Sequence, residues 1–500
     1  MGTASDGEQI DTSGVTGLDD ILGGGLTPRR LYSVEGVPGS GKTTLAMQFL
    51  MEGARRKEPV LYVTLSETKE ELTATAASHG WTLDGVTIFE LVPQESGLQG
   101  DEQYTMFHPS EVELNQTTMA ILAEVERLKP RRVVFDSLSE LRLLAGNALR
   151  YRRQILAFKQ FFAGRNCTVL LLDDMTSADR DLQVQSISHG VLLLEQLNPE
   201  YGSERRRLRV VKYRGRQFRG GYHDYKIERG GLIVYPRLVA AEHRTKIEKS
   251  RFASGVAQLD TLLGGGIESG TSTLIMGAPG TGKSSLSALF ATSAAERGQR
   301  TAMFIFDESV ETLMTRAAGL GLSLREHVES GMVSLQPIDP AELSPGEFCQ
   351  NIRTAVEKNK ADIVVIDSLN GYLNAMPGER YLVIQLHELF MFLGQQNVAT
   401  LLVAAQQGLI GMQMHSPVDA TYLADAVILM RYFEARGEVR QAISIVKKRG
   451  GAHERTIREF RLSQGRIEVG EPLSNFRGVL TGVPTYDNEP SEQRADRREG

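Results

Sequence analysis

Gly36-Val37-Pro38-Gly39-Ser40-Gly41-Lys42-Thr43-Thr44 follows a β-rich run, Leu31-Tyr32-Ser33-Val34, and leads into a helical stretch from Thr44 to Ala54. The pattern G-x-x-x-x-G-K-[ST] between a strand and a helix is highly specific. Its glycines let successive backbone N–H groups curl around phosphates, and the helix N-terminus adds its dipole. The motif recurs as Gly277-Ala278-Pro279-Gly280-Thr281-Gly282-Lys283-Ser284-Ser285, 241 residues further on. Gly36, Gly39, Ser40, Gly41 and Thr44, with Gly277, Gly280, Thr281, Gly282 and Ser285, are therefore expected to cradle phosphates. Lys42 and Lys283 are expected on the β- and γ-phosphates, and Thr43 and Ser284 on Mg²⁺.

The repeat extends outward from these loops. Ser13-Gly14-Val15-Thr16-Gly17-Leu18-Asp19 with Leu22-Gly23-Gly24-Gly25 returns as Ser254-Gly255-Val256-Ala257-Gln258-Leu259-Asp260 with Leu263-Gly264-Gly265-Gly266, at the same offset of 241. Further along the offset becomes 231, pairing Asp136 with Asp367 and Asn166 with Asn397. Chance similarity does not hold register over such lengths, so the chain is a duplicated domain. We expect a flexible N-terminus over 1–12, a first domain over 13–240, a linker over 241–252, a second domain over 253–484 and a disordered tail over 485–500. Strand and helix patterns alternate in each repeat, which predicts an α/β fold of two tandem P-loop NTPase domains. Each would carry a mostly parallel sheet flanked by helices. The last part of each repeat reads as an edge hairpin, in the second as Val427–Tyr432 turning around Ala435-Arg436-Gly437-Glu438 into Ala442–Val446.

Composition narrows the classes. No stretch approaches the roughly 18 apolar residues of a membrane span, and residues 1–12 lack the apolar core of a signal peptide. Cys167 and Cys349 are the only cysteines, which excludes a disulfide framework and a four-Cys zinc site and points to a reducing cytoplasm. His108, His189, His223 and His415 have no metal-ligand spacing. A net charge of −6 argues against a nucleic-acid coat, although Arg205-Arg206-Arg207, Arg209, Arg216 and Arg219 invite one.

Three further elements complete a nucleotide site in each repeat. Asp136 and Asp367 end hydrophobic strands, Arg132-Val133-Val134-Phe135 and Ile363-Val364-Val365-Ile366, where a carboxylate would hold Mg²⁺ through its water shell. Ser66-Glu67 and Asp307-Glu308 end the strand after the P-loop helix. Glu67, Asp307 and Glu308 are candidate bases for water or a hydroxyl facing the γ-phosphate, the competing role being a helix cap ahead of Thr68-Lys69-Glu70-Glu71. Lys212-Tyr213-Arg214-Gly215 and Lys447-Lys448-Arg449-Gly450 end the hairpins. There a Lys-x-Arg pair would reach a neighbouring subunit's γ-phosphate, as an arginine finger does.

Taken in this order, and twice over, these parts resemble the KaiC family of the RecA superfamily. Ser78-His79-Gly80-Trp81, Arg436-Gly437-Glu438 and the run from Lys447 through His453 to Phe460 carry the likeness, which spans roughly residues 10–484. The resemblance implies ATP and Mg²⁺ as ligands and a homo-oligomer, a hexameric double ring with ATP at subunit interfaces. It implies Ser78, Lys212 and Arg214 around the first nucleotide, and Lys447, Arg449 and His453 around the second. Clock proteins of this family phosphorylate themselves on adjacent hydroxyl residues in the second domain. Alignment from Asp425 puts Thr421 and Tyr422 at that pair, where the clock pattern is Ser-Thr, and Asp307 or Glu308 would be the base. Ser66 stands where the clock proteins carry the first of two glutamates. The function expected is an ATPase with serine/threonine autokinase activity, acting as a switch for signalling protein partners. The alternatives are a nucleic-acid-stimulated ATPase on the same core and a scaffold that binds ATP only to assemble.

Overall fold

The computed structural model describes residues 10–91, 109–175, 182–199, 202–243, 250–374, 381–406, 420–481 and 485–486. Two compact units result, Met1–Arg237 and Leu238–Gly500. The first contains β1 (Leu31–Gly36), β2 (Val60–Thr64), β3 (Val86–Glu90), β4 (Arg132–Asp136), β5 (Thr168–Asp173), β6 (Gly190–Leu197), β7 (Arg205–Tyr213), β8 (His223–Glu228) and β9 (Gly231–Tyr235). They form one sheet in the order β3-β2-β4-β5-β1-β6-β7-β8-β9. The pairings from β3 through to β6 are parallel, and those from β6 to β9 are antiparallel.

Period-two alternation splits each parallel strand between two cores. Tyr32, Val34, Tyr62, Val134, Leu170 and Leu172 pack with Leu45, Phe49 and Leu50 of the P-loop helix Lys42–Arg55. Leu61, Val63, Val133, Phe135, Val169 and Leu171 pack on the opposite face with Leu114, Ile121, Leu141, Tyr151 and Phe158. Strands buried on both faces read as continuous apolar runs, and this is why β4 and β5 were visible in the sequence. Phe158 and Phe162 of the helix Ala148–Ala163 are buried. Trp81 follows the helix Lys69–Ser78 and lies against His79.

The second unit repeats the plan. Its strands are β10 (Arg251–Phe252), β11 (Ile267–Glu268), β12 (Ser272–Gly277), β13 (Thr301–Ile305), β14 (Val333–Pro337), β15 (Ile363–Asp367), β16 (Ala399–Ala405), β17 (Ala426–Ala435), β18 (Glu438–Lys448), β19 (Ile457–Ser463) and β20 (Arg466–Pro472). β10 and β11 pair with each other, and the rest form a sheet in the order β14-β13-β15-β16-β12-β17-β18-β19-β20. The expected hairpin is present, and two further antiparallel strands extend it in both units. Arg436 and Gly437 form its two-residue turn with φ of 55° and 75°. Positive φ at both positions matches the right-handed twist of the flanking strands.

The repeated Ser…Asp signature is a clasp: Asp19 accepts from the Ser13 N–H at 2.9 Å, and Asp260 from the Ser254 N–H at 2.7 Å. Three stretches near the expected boundaries differ from the sequence reading. Leu238 and Ala240, assigned there to the first domain, are buried in the second unit's core, and the Ala240 N–H donates to Glu388. Arg251 and Phe252, read as linker, form β10. Thr485–Tyr486 (β22), read as tail, pairs with Phe476–Arg477 (β21); the remaining tail, residues 1–9, His108 and His415 lie outside the described residues. Among the described residues no helix is long and apolar enough to cross a membrane.

Candidate nucleotide sites

Both P-loops run from the C-terminal end of the central strand into a helix. Gly41 and Gly282 precede those helices with φ of 89° and 94°. A Cβ on Gly41 would lie 2.4 Å from Ile227 Cδ1, so both conformation and space demand glycine. Lys42 and Lys283 are buried, and each Nζ folds back onto loop carbonyls: Lys42 donates to Gly36 and Val37 at 2.9 and 3.0 Å, Lys283 to Ala278 at 2.8 Å. Burial lowers the Lys283 pKa, with Asp367 and Asp307 opposing.

Thr43 donates to Asp136 Oδ2 at 3.1 Å, so the two expected Mg²⁺ ligands of the first unit already touch. Tyr62, which belongs to no motif, donates to the same oxygen at 2.5 Å. Burial raises the Asp136 pKa against the hydrogen bonds from Tyr62 and Thr43. In the second unit burial pushes Asp367 up to about 6, with the Ser284 hydroxyl opposing, and its Oδ2 is buried with no hydrogen-bond partner. A buried carboxylate oxygen lacking a donor, beside a P-loop hydroxyl, fits a hard divalent cation.

The carboxylates beyond β2 and β13 differ between the units. Thr68 and Glu71 form a reciprocal capping box on the helix Lys69–Ser78, so the competing role of helix cap does not fall to Glu67. Glu67 Oε2 is buried without a partner, and burial, followed by the Asp136 charge, raises its pKa. Glu308 instead takes a two-point contact from Arg316, at 2.5 and 2.6 Å. Asp307 accepts from the Ser368 hydroxyl. Neither Arg316 nor Asp174, which meets Lys42 at 2.9 Å, was anticipated. Both lie in segments without a motif.

The Lys-x-Arg pairs lie at the opposite end of each sheet from their own P-loop. Gly36 is level with Leu194 of β6, whereas Tyr213 of β7 is level with Gly190. Gly277 is likewise level with Met430 of β17, and Lys448 with Ala426. Four strand residues separate these levels, on the order of 13 Å. A β-bulge interrupts each hairpin at the same place, between Val191 and Leu192 and between Val427 and Ile428. Val211 and Val446 are the skipped residues, both turned to solvent, and the bulge aims the following lysine. Lys212 donates to the Gln185 carbonyl at 2.5 Å and Arg214 to that of Ser186 at 2.8 Å. Lys447 donates to the Thr421 carbonyl at 2.6 Å and Arg449 to that of Tyr422 at 2.8 Å. Thr421 and Tyr422 therefore sit at the finger end, Tyr422 being 52% exposed.

Ser78 is exposed and its hydroxyl donates to Thr75, while the neighbouring His79 ring approaches the Thr44 hydroxyl at 3.5 Å. His453 is half-buried between β18 and β19. Of the arginine run, Arg206 pairs with Glu204, and Arg207 pairs with Glu195 and stacks on Tyr222, so these charges are engaged within the unit.

Two P-loops on two nine-stranded, mostly parallel sheets define a tandem RecA-like NTPase. A sequence model of the family described as "ATPase: KaiC" matches residues 12–239 and again 252–474. Similar proteins include Circadian clock protein KaiC3 of Synechocystis sp., 26% identical across 97% of this chain and 96% of that protein. Others are the Circadian clock oscillator proteins KaiC of Thermosynechococcus vestitus, 28% identical across 94% of this chain and 91% of its own, and of Synechococcus elongatus, 27% identical with the same coverage. The chain belongs to the KaiC family of ATPases.

Proposed function

We propose that this chain binds MgATP in both domains at the subunit boundaries of a homo-oligomer, a hexameric double ring, and hydrolyses it. We propose further that the second domain phosphorylates its own chain type, so that the assembly acts as a cytoplasmic switch for signalling partners. The observation that carries this reading is the separation of each Lys-x-Arg pair from its own P-loop. A finger about one strand length from the site in its own chain reaches a γ-phosphate only across a head-to-tail subunit contact, and such contacts close into a ring where the rotation closes and otherwise grow into a filament.

In the first domain water attacks the γ-phosphorus, the bond to the β–γ bridging oxygen breaks, and ADP leaves. Glu67, half-buried and with an unpartnered oxygen, receives the water's proton. Arg214 of a neighbouring subunit steadies the charge on the transferred group. Mg²⁺ on Thr43 and Asp136, and on Ser284 and Asp367, would neutralise charge on the β- and γ-oxygens. In the second domain the Thr421 hydroxyl, at the finger end, is the acceptor for the phosphoryl group of the adjoining subunit's ATP, with Asp307 taking its proton. Tyr422 is the alternative acceptor.

Intact-mass spectrometry after incubation with MgATP tests this. Added phosphate in the wild type but not in Lys283→Ala, mapped to Thr421 or Tyr422, supports the autokinase. No mass gain while phosphate is released into solution would leave a double-ring ATPase and remove the kinase. Lys42→Ala is expected to weaken ATP-dependent assembly, read by native mass; unchanged oligomers would count against a structural first ring.

A further inference from the structure

The two halves align residue for residue across the segment after β2 and β13. Thr68 and Ser309 both cap the following helix, and Leu72 and Leu313, then Ala76 and Ala317, are its buried positions. In that register Arg316 stands where the first half has Thr75. The exchange changes what surrounds an equivalent carboxylate. Glu67 keeps one oxygen buried and unpartnered. Glu308 has both oxygens held by the Arg316 guanidinium, at 2.5 and 2.6 Å, with the two side chains 17% and 32% exposed.

A planar fork on a carboxylate gives two parallel charge-assisted hydrogen bonds with a cation that does not deprotonate. A carboxylate held this way has one lone pair on each oxygen occupied and its plane fixed against the guanidinium. To swing toward an attacking group elsewhere it must first give up those N–H contacts. Asp307 next to it accepts from the Ser368 hydroxyl and is exposed.

We propose that Arg316 is a positioning residue that withholds Glu308 from water facing the second-site γ-phosphate, leaving Asp307 as that site's working carboxylate. The inference rests on the reading that the second domain turns over ATP, and it deepens it. A site that withholds one of its two carboxylates from water keeps its ATP intact longer, and so favours transfer to a protein hydroxyl over loss to hydrolysis.

The test uses the full chain with first-site turnover disabled by Glu67→Gln, which keeps first-site ATP binding, measuring phosphate release against ATP concentration. Added Arg316→Thr, which installs the first-half residue, is expected to raise kcat about tenfold through an additional base. KM should stay within about twofold, since no phosphate ligand is lost. Arg316→Lys, a one-point donor, should fall between. Glu308→Gln added to Arg316→Thr should abolish the gain. A kcat that falls or stays level in Arg316→Thr overturns the proposal, as does a gain that survives Glu308→Gln. If Arg316→Thr loses its fold by circular dichroism, Arg316→Lys with and without Glu308→Gln decides by the same criterion. A Glu67→Gln parent that assembles and binds a fluorescent ATP analogue yet releases no phosphate defeats the turnover reading separately. With such a parent, turnover that appears in Arg316→Thr still supports the proposal, and silence overturns it.

Discussion

Asp174→Asn is expected to tighten ATP binding at the first site. Lys42, the P-loop lysine proposed to meet the β- and γ-phosphates, is held by Asp174 at 2.9 Å, with side chains 6% and 28% exposed. Burial pushes the Asp174 pKa up, but Lys42 and the serines at 137 and 139 outweigh it and keep the carboxyl below its usual range. ATP must therefore displace an ionised competitor. Two charges about 4 Å apart near a protein surface attract by about 4 kcal/mol before solvation is counted. With one partner over a quarter exposed, a net cost to binding of about 1–2 kcal/mol remains, or roughly a tenfold change in Kd. The second unit supplies the comparison: β1 and β5 align Glu35 with Asp173, and β12 and β16 align Met276 with Ala404, so Ala405 stands in place of Asp174. Fluorescent-ATP titration in a Lys283→Ala background, with and without Asp174→Asn, reads the first site alone. The substitution should also lower the melting temperature of the ATP-free protein, because Lys42 keeps only the Gly36 and Val37 carbonyls. Affinity that is unchanged or weaker would refute competition.

Two further outcomes follow from named groups. Glu67→Gln should lower first-site turnover by about a hundredfold, measured with the second site disabled, while ATP affinity stays within about threefold. His223 is buried, its Nδ1 accepting from the Arg237 N–H at 2.8 Å and its Nε2 lying 3.0 Å from the Arg219 carbonyl, a pair that only the neutral Nε2–H ring satisfies. Burial, with nearby Arg219 and Arg237 charges, lowers its pKa from 6.5 to about 4. A neutral ring in the folded state contributes stability that is complete above pH 6.5 and is lost as pH falls toward 4, on the order of 3 kcal/mol. Denaturant titrations over that range should show the loss, and His223→Gln should flatten it.

The fold was legible because it depends on patterns that sequence displays. β4 and β15 are apolar runs ending in Asp, and each P-loop needs glycine at φ values that side chains rarely adopt. Duplication made each reading check the other. What escaped was contact chemistry between distant segments. Tyr62 on Asp136, Asp174 on Lys42 and Arg316 on Glu308 are pairings made by the fold, and none has a spacing that announces it. The bulges were hidden as well, since Val211 and Val446 look like ordinary strand residues. That Leu238 and Ala240 pack in the second unit's core was hidden, because charged residues flank this short apolar stretch.

The account's central claim is that each nucleotide site is built by two subunits, and complementation between inactive variants tests it most directly. With Glu67→Gln in both, one population carries Lys283→Ala and the other Arg449→Ala, and phosphate release is measured before and after subunit exchange confirmed by native mass. Shared sites predict recovery on mixing, because some boundaries then join an intact Lys283 loop to an intact Arg449. Mixed assemblies that exchange freely and stay as inactive as their parents would contradict it.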